Sequence, residues 1–482
     1  MPVFEPATFA ALLGLLGLVI LTAASLSGIF DRVGLPLVAL FLGLGTILGQ
    51  YGLGLIEFSP DSPILATIAT LSLVLVLFTD AVSVDRAEVT RHLKLALVVL
   101  GPGTLLTTIV ITGAAKWLLG LSWPAAAILG AALASTDPVM VRGLLRQRGI
   151  PPAARTALRI ESGLNDVIVL PIVLVGMSLF ASGQGSHLAA EMGKVGGSVF
   201  ILGPLAGILV GWLSVRVLVL VRGKYGMRRD YESLYVLAVA FIAFASAELM
   251  HASGFMAAFT AGLTVGSLDV ELCDCFRDYG EATAEMLLLF AFVAFGASLI
   301  WTGLEVLSPA GVGFAAVAVL GRTAVLGLTL PRKSLDAASR RLIVAFGPRA
   351  LSSLLLVLLP VFAGIDGAIV LVPYAALAVL MSVGLHGAML WWFAQKYGGG
   401  PVGGQVDGRA DGQDALRISL AEVEALEADG APIRMLDVRK ERDWNSADSK
   451  LAGSIRLDPD HPVESAAERA LPRSDWLIGY CA

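Results

Sequence analysis

Apolar residues run along this chain in long blocks separated by short polar stretches, with no sustained alternation. A membrane-spanning helix needs about 20 mostly apolar residues, because roughly 30 Å of hydrocarbon is crossed at about 1.5 Å per residue. On that criterion the pattern predicts thirteen spans, near 8–29, 35–50, 63–79, 95–118, 122–141, 157–181, 196–221, 233–250, 253–267, 284–302, 309–330, 341–360 and 367–394. The first block has no Lys or Arg before Arg32, so it lacks the basic leader of a secretory signal and reads as a retained span. After Trp392 the pattern changes. Gly398-Gly-Gly-Pro-Val-Gly-Gly404 reads as a flexible linker, and the residues beyond it are polar, with helix-like and strand-like stretches alternating. The expected organisation is a transmembrane domain over 1–397, a Gly-rich linker over 398–414 and a small α/β domain over 415–482.

Composition narrows the function classes. Hydrophobic residues make up 56% of the chain and charged ones 15%, with a mean hydropathy of +0.79. Soluble domains carry about a quarter charged residues, so an ordinary soluble enzyme, a disordered chain and a collagen-like one are excluded. The 53 glycines suit membrane helices whose backbones approach closely. A net charge of −5 gives no electrostatic reason to expect nucleic acid. Three cysteines make no disulfide framework, and Cys273 and Cys275 read as free thiols. Loop Lys and Arg residues then set orientation. With the N-terminus outside, twenty fall on the inner side and two, Lys116 and Lys194, on the outer side. Strict alternation supports the span count, and it puts the tail in the cytoplasm of a multi-pass plasma membrane protein.

A charge inside the bilayer is expensive and is a functional hypothesis by default. Such residues are few: Asp137 in span 5, Glu161 and Asp166 in span 6, Arg322 in span 11 and Arg349 in span 12. Asp80, Glu248, Glu285 and Glu305 lie nearer span ends. In Glu161-Ser-Gly-Leu-Asn165-Asp166, helical spacing puts Glu161 with Asn165 and Ser162 with Asp166. The Ser162–Asp166 stripe offers hard oxygens to a small alkali cation. The Glu161 stripe offers a partner to a buried guanidinium, which stays charged and must find an acceptor; Arg322 is the candidate. The pair is then structural or part of the transport chemistry. In span 5, Pro138 has no N–H, so the carbonyl of Ala134 is freed beside Asp137 as a possible cation ligand. In span 12, Pro348 frees the carbonyl of Val344, and the neighbouring Arg349 can offset exposed carbonyl dipoles. Spans 5 and 12 are both fifth in their halves if spans 1–6 and 8–13 are inverted repeats. Paired broken helices in inverted repeats mark secondary transporters that work by alternating access. No Gly-x4-Gly-Lys-Ser/Thr motif for ATP occurs.

Ser135-Thr-Asp-Pro-Val139, Glu161-Ser-Gly-Leu-Asn-Asp166, Gly254-Phe-Met-Ala-Ala-Phe-Thr-Ala-Gly262 and Phe346-Gly-Pro-Arg-Ala-Leu351 together resemble the NhaP-like members of the monovalent cation:proton antiporter family 1. The resemblance covers roughly 8–394. It implies an all-α fold of thirteen helices, with a dimerisation domain, a six-helix core, crossing broken helices and a homodimer. It implies that Asp166 binds cation and proton in competition, and that Asp137, Thr136 and Ser162 complete a site for Na⁺, with Li⁺ or K⁺ as alternatives. Glu161, Asn165 and Arg322 would hold the core together. Asn165 before Asp166 implies electroneutral exchange. No cofactor is implied beyond the transported ions.

The tail resembles a rhodanese-like domain through Met435-Leu-Asp-Val-Arg439, Ala452-Gly-Ser-Ile-Arg456 and Trp476-Leu-Ile-Gly-Tyr-Cys481. Cys481 stands at the position of that family's sulfur-carrying cysteine. The match stops at Ala482, before the anion-cradling loop, so an incomplete and inactive domain is expected. A membrane-anchored sulfurtransferase, or a non-transporting sensor, is the rival reading of the whole chain.

Overall fold

The structure is a computed structural model. It describes residues 35–396 apart from 57, 61, 85–88, 91, 146–149, 183–187, 226–228, 269–272 and 332–334. It also describes scattered positions between 14 and 30, all helical, and residues 423, 432–439, 444, 453–458, 469 and 476–480. The chain divides into two compact units, Met1–Val402 and Gly403–Ala482.

Among the described residues the regular structure of the first unit is all helical, as every backbone N–H and C=O in hydrocarbon must be satisfied within the protein. Its helices are α1 (Leu37–Leu48), α2 (Pro63–Val82), α3 (Leu93–Leu119), α4 (Trp123–Ala132), α5 (Pro138–Leu145), α6 (Pro152–Leu164) and α7 (Asp166–Ser182). They continue with α8 (Leu188–Gly197), α9 (Gly203–Tyr225), α10 (Arg229–Leu249), α11 (Gly254–Leu268) and α12 (Cys273–Ala297). The last four are α13 (Pro309–Thr329), α14 (Ala337–Ala345), α15 (Leu351–Phe362) and α16 (Leu371–Lys396). Among the described residues six helices are long and apolar enough to cross a membrane, or seven when the bent pair Ala282–Ala297 and Leu299–Val306 counts as one span. Several other expected spans hold helices of 10–17 residues, among them α1, α4, α11 and α15. Two of these, α4 and α15, are short because each is one half of an interrupted helix.

Packing explains the glycine content. A Cβ on Gly45 of α1 would strike the Val293 carbonyl of α12, and one on Gly296 of α12 would strike the Leu42 carbonyl of α1. Only residues without a side chain allow helix axes to come this close, which is how membrane helices gain packing energy when lipid supplies no hydrophobic drive. The outer faces are apolar. Leu249 is 83% exposed and Leu328 88% exposed, which suits contact with acyl chains.

Two interruptions carry Asp137 and Arg349. The chain leaves helix after Ala132 and re-enters it at Pro138; it leaves again after Ala345 and re-enters at Leu351. Span 6 runs as one helical stretch over Pro152–Ala181, with helical backbone at Asn165 where α6 hands over to α7, so Asp166 stands at the start of α7. Glu248, near the end of α10, accepts the Gly254 N–H at 2.9 Å and caps α11.

The described part of the second unit is a three-stranded parallel sheet in the order β2-β1-β3, with β1 Ile433–Asp437, β2 Ile455–Arg456 and β3 Trp476–Tyr480. Within it Asp437 holds Arg439 through an Nη2–Oδ2 contact of 2.6 Å. Cys481 lies outside the described residues.

Candidate functional site

The two interruptions meet. The Asp137 N–H donates to the Pro348 carbonyl at 2.9 Å, joining one break to the other. Asp137 then uses both carboxylate oxygens on backbone donors. Its Oδ1 accepts the Met140 N–H at 3.0 Å, and its Oδ2 accepts the Leu351 N–H at 3.1 Å. A carboxylate at two helix starts meets orphan N–H groups and the positive ends of two helix dipoles, so α5 and α15 share a single cap.

The opposite polarity is met by cations. Arg349 is fully buried, and its Nη1 donates to the carbonyls of Ala134 at 2.7 Å and Ser135 at 2.8 Å, just past the C-terminal end of α4. Arg322 Nη1 donates to Val344 O at 3.5 Å near the end of α14. Two expectations are corrected here. The carbonyl of Ala134 is occupied by a guanidinium and does not wait for a cation. Arg349 serves the carbonyls of the other break, while those of its own are served by Arg322. The physical reason is the crossing: each break brings its charge to the end of the other interrupted helix.

Glu161 and Arg322 form the expected pair. Nε donates to Oε1 and Nη2 to Oε2, both at 2.5 Å, with side chains 5% and 3% exposed. The fork is bidentate, the geometry in which arginine binds carboxylate most strongly. Gly347 gives it room, since a Cβ there would lie 2.5 Å from Arg322 Cδ and 2.6 Å from Nη1.

Asp166 is the remaining acid. It is 6% exposed, and among the described residues its hydrogen-bond donor is the Ser135 hydroxyl, at 2.8 Å from Oδ1. Next to it, Asn165 Nδ2 donates to Thr136 Oγ1 at 2.7 Å, whereas the buried Asn165 Oδ1 has no hydrogen-bond partner. Thr136, Asp137, Asn165, Asp166, Pro348 and Arg349 are therefore brought to one place, with Pro138 opening α5 beside them. Among the described residues Ser162 makes no hydrogen bond to these groups; its hydroxyl donates to Arg159 O at 3.3 Å, within its own helix.

Sequence reasoning missed three polar residues. Ser135, quoted only within the motif, is the hydroxyl that reaches Asp166. Ser382 and His386 of α16 are buried against the second break, and the Arg349 N–H donates to Ser382 Oγ at 2.6 Å. A histidine four residues after a serine in an otherwise apolar span was the available signal.

The family described as sodium/hydrogen exchanger, transmembrane, matches residues 18–396. The K(+)/H(+) antiporter NhaP of Alkalimonas amylolytica is 30% identical over 259 residues, 53% of this chain and 43% of that protein. The K(+)/H(+) antiporter NhaP2 of Shewanella oneidensis is 27% identical over 379 residues, 77% of this chain and 64% of that protein. The chain thus spans less than two thirds of the length of these curated relatives. Its fold resembles that of the sodium proton antiporter MjNhaP1 from Methanocaldococcus jannaschii, with a TM-score of 0.63 and 21% identity, over 79% of this chain and 99% of that one.

Proposed function

The chain belongs to the transmembrane sodium/hydrogen exchanger family, and from that premise we propose that it exchanges a monovalent cation for a proton at Asp166. One observation carries the reading. Of the three buried acids at the crossing, Glu161 is neutralised by Arg322 and Asp137 is committed to two helix starts. Asp166, by contrast, has no ion-pair partner among the described residues and accepts a single hydroxyl. A buried carboxylate without a counter-charge is costly, so it holds either a proton or a cation. If only the neutralised site crosses the barrier, uptake of one ion is tied to release of the other. The unpartnered Asn165 Oδ1 and the Thr136 hydroxyl are the neutral oxygens at hand for the cation. Asn165 adds no charge, which supports one cation per proton.

The finer reading keeps thirteen spans in two inverted halves, the N-terminus outside, a cytoplasmic tail, plasma-membrane location and a homodimer. The interlocked breaks support alternating access by that architecture. Na⁺ is the cation expected from the motifs; the relatives named above are K⁺/H⁺ antiporters, so K⁺ stands beside it. The tail is read as rhodanese-like, and its parallel sheet supports an α/β fold.

The test uses acid-interior proteoliposomes with a pH-sensitive dye and Na⁺, Li⁺ or K⁺ added separately, with membrane potential clamped or free. Alkalinisation driven by one of these cations, indifferent to potential and lost in Asp166→Asn, is the expected result. Equal flux from wild type and Asp166→Asn overturns the assignment to Asp166.

A further inference from the structure

Residues 346–350 leave the helix inside the buried part of the molecule, where each backbone N–H needs a partner. Pro348 has none to place. Two of the others go to a helix outside both interrupted pairs. The Gly347 N–H donates to His386 Nε2 at 3.4 Å, and the Arg349 N–H donates to Ser382 Oγ at 2.6 Å. Both partners lie on α16, one helical turn apart, and are 1% and 0% exposed.

The Gly347 bond requires one state of the imidazole. Gly347 offers a proton, so Nε2 presents its lone pair. Nδ1 lies 3.0 Å from the Ser382 carbonyl, which only accepts, and 3.1 Å from Ser382 Oγ, which can donate or accept; with Nε2 accepting, a neutral ring carries its hydrogen on Nδ1. In that state the ring donates at one end while accepting at the other. Phe346 packs edge-on against it, with centroids 5.6 Å apart. From this clamp the contacts run directly to the site. The backbone of Arg349 is held by Ser382, its guanidinium holds the Ser135 carbonyl, and the Ser135 hydroxyl holds Asp166.

We propose that His386 and Ser382 are positioning residues: α16 clamps the second break through Gly347 and Arg349 and so sets the placement of Ser135 against Asp166. The functional half rests on Asp166 being the exchange carboxylate. The clamp itself does not, and its test has a readout that is independent of transport.

The full chain in lipid nanodiscs, with its five histidines ¹⁵N-labelled, is examined by solid-state NMR at a pH where imidazole is neutral. Free neutral histidine favours the Nε2–H form. The expected spectrum contains an Nδ1–H histidine that disappears in His386→Gln and shifts in Ser382→Ala. Absence of an Nδ1–H signal assignable to His386 overturns the clamp whatever the transport result. In proteoliposomes, His386→Leu is expected to raise the half-saturating cation concentration by about ten-fold or more, the size expected from one orphaned buried donor. His386→Gln, which keeps an acceptor and a donor, recovers most of that loss, and Ser382→Thr does better than Ser382→Ala. Wild-type flux and affinity in His386→Leu overturn the positioning role. If wild type itself exchanges nothing, the exchange reading fails, and the NMR spectrum decides the clamp.

Discussion

The Glu161–Arg322 pair allows a quantitative test of what holds the crossing together. The two side chains are nearly inaccessible and joined by two parallel bonds of 2.5 Å. Replacing Arg322 with Met leaves Glu161 buried and uncompensated, and replacing Glu161 with Gln does the same to Arg322. Breaking a buried pair from one side costs roughly 3–5 kcal/mol. Arg322 also loses its hydrogen bond to Val344 O, which at 3.5 Å is long and adds little. Each single substitution should therefore destabilise strongly, whereas the Glu161→Gln/Arg322→Met double variant, with no stranded charge, should be far less destabilised than the two singles combined. The coupling free energy, about 2 kcal/mol or more, comes from a double-mutant cycle on unfolding of the purified protein in detergent. Singles within about 1 kcal/mol of wild type, or a coupling near zero, would refute the reasoning and make the pair incidental to the fold.

Three further outcomes follow from the same geometry. Gly347→Ala should mimic the loss of Arg322 without removing a charge, because the new methyl collides with the Arg322 side chain; thermal stability checks this, with Gly384→Ala, a helical position with open space around it, as the control. Ser135→Ala removes the donor to Asp166, and is expected to change the half-saturating cation concentration by about five- to ten-fold with little change in stability, read from proteoliposome kinetics. Asp336 caps α14 by accepting the Ser339 N–H at 2.8 Å, and hydrogen bonding from Ser339 holds its carboxyl below the usual aspartate value. Its contribution is thus present above the ordinary aspartate pKa and lost as pH falls through the lowered one. The stability gap between wild type and Asp336→Ala should follow that course in a pH series.

Local chemistry made much of this site legible in the sequence. A guanidinium cannot shed its charge, so Arg322 required an acid, and Glu161 was available. Pro138 and Pro348 cannot donate, which favours a break at each, although Pro171 and Pro360 sit inside helices that continue past them. The destinations of the liberated groups were not legible, because they depend on which elements cross. The freed carbonyl of Ala134 went to Arg349, more than 200 residues away in sequence, and both oxygens of Asp137 went to backbone donors on different helices. Ser135 bonds Asp166 while Thr136 bonds Asn165, and because the chain between Ala132 and Pro138 is not helical, helical spacing could not say which hydroxyl points where. His386 and Ser382 carry no pattern beyond their rarity in an apolar span; their meaning comes from contact with a break 33 and 39 residues earlier.

The central claim is that one carboxylate serves both ions in turn. It is tested most directly by measuring the half-saturating cation concentration for exchange over a series of pH values. Competition at Asp166 predicts that this concentration rises with acidity, approaching about ten-fold per pH unit where protonation dominates, while the limiting rate at saturating cation is recovered. A half-saturating concentration that does not move with pH, while the limiting rate falls, would mean that proton and cation occupy separate groups, and would contradict the account.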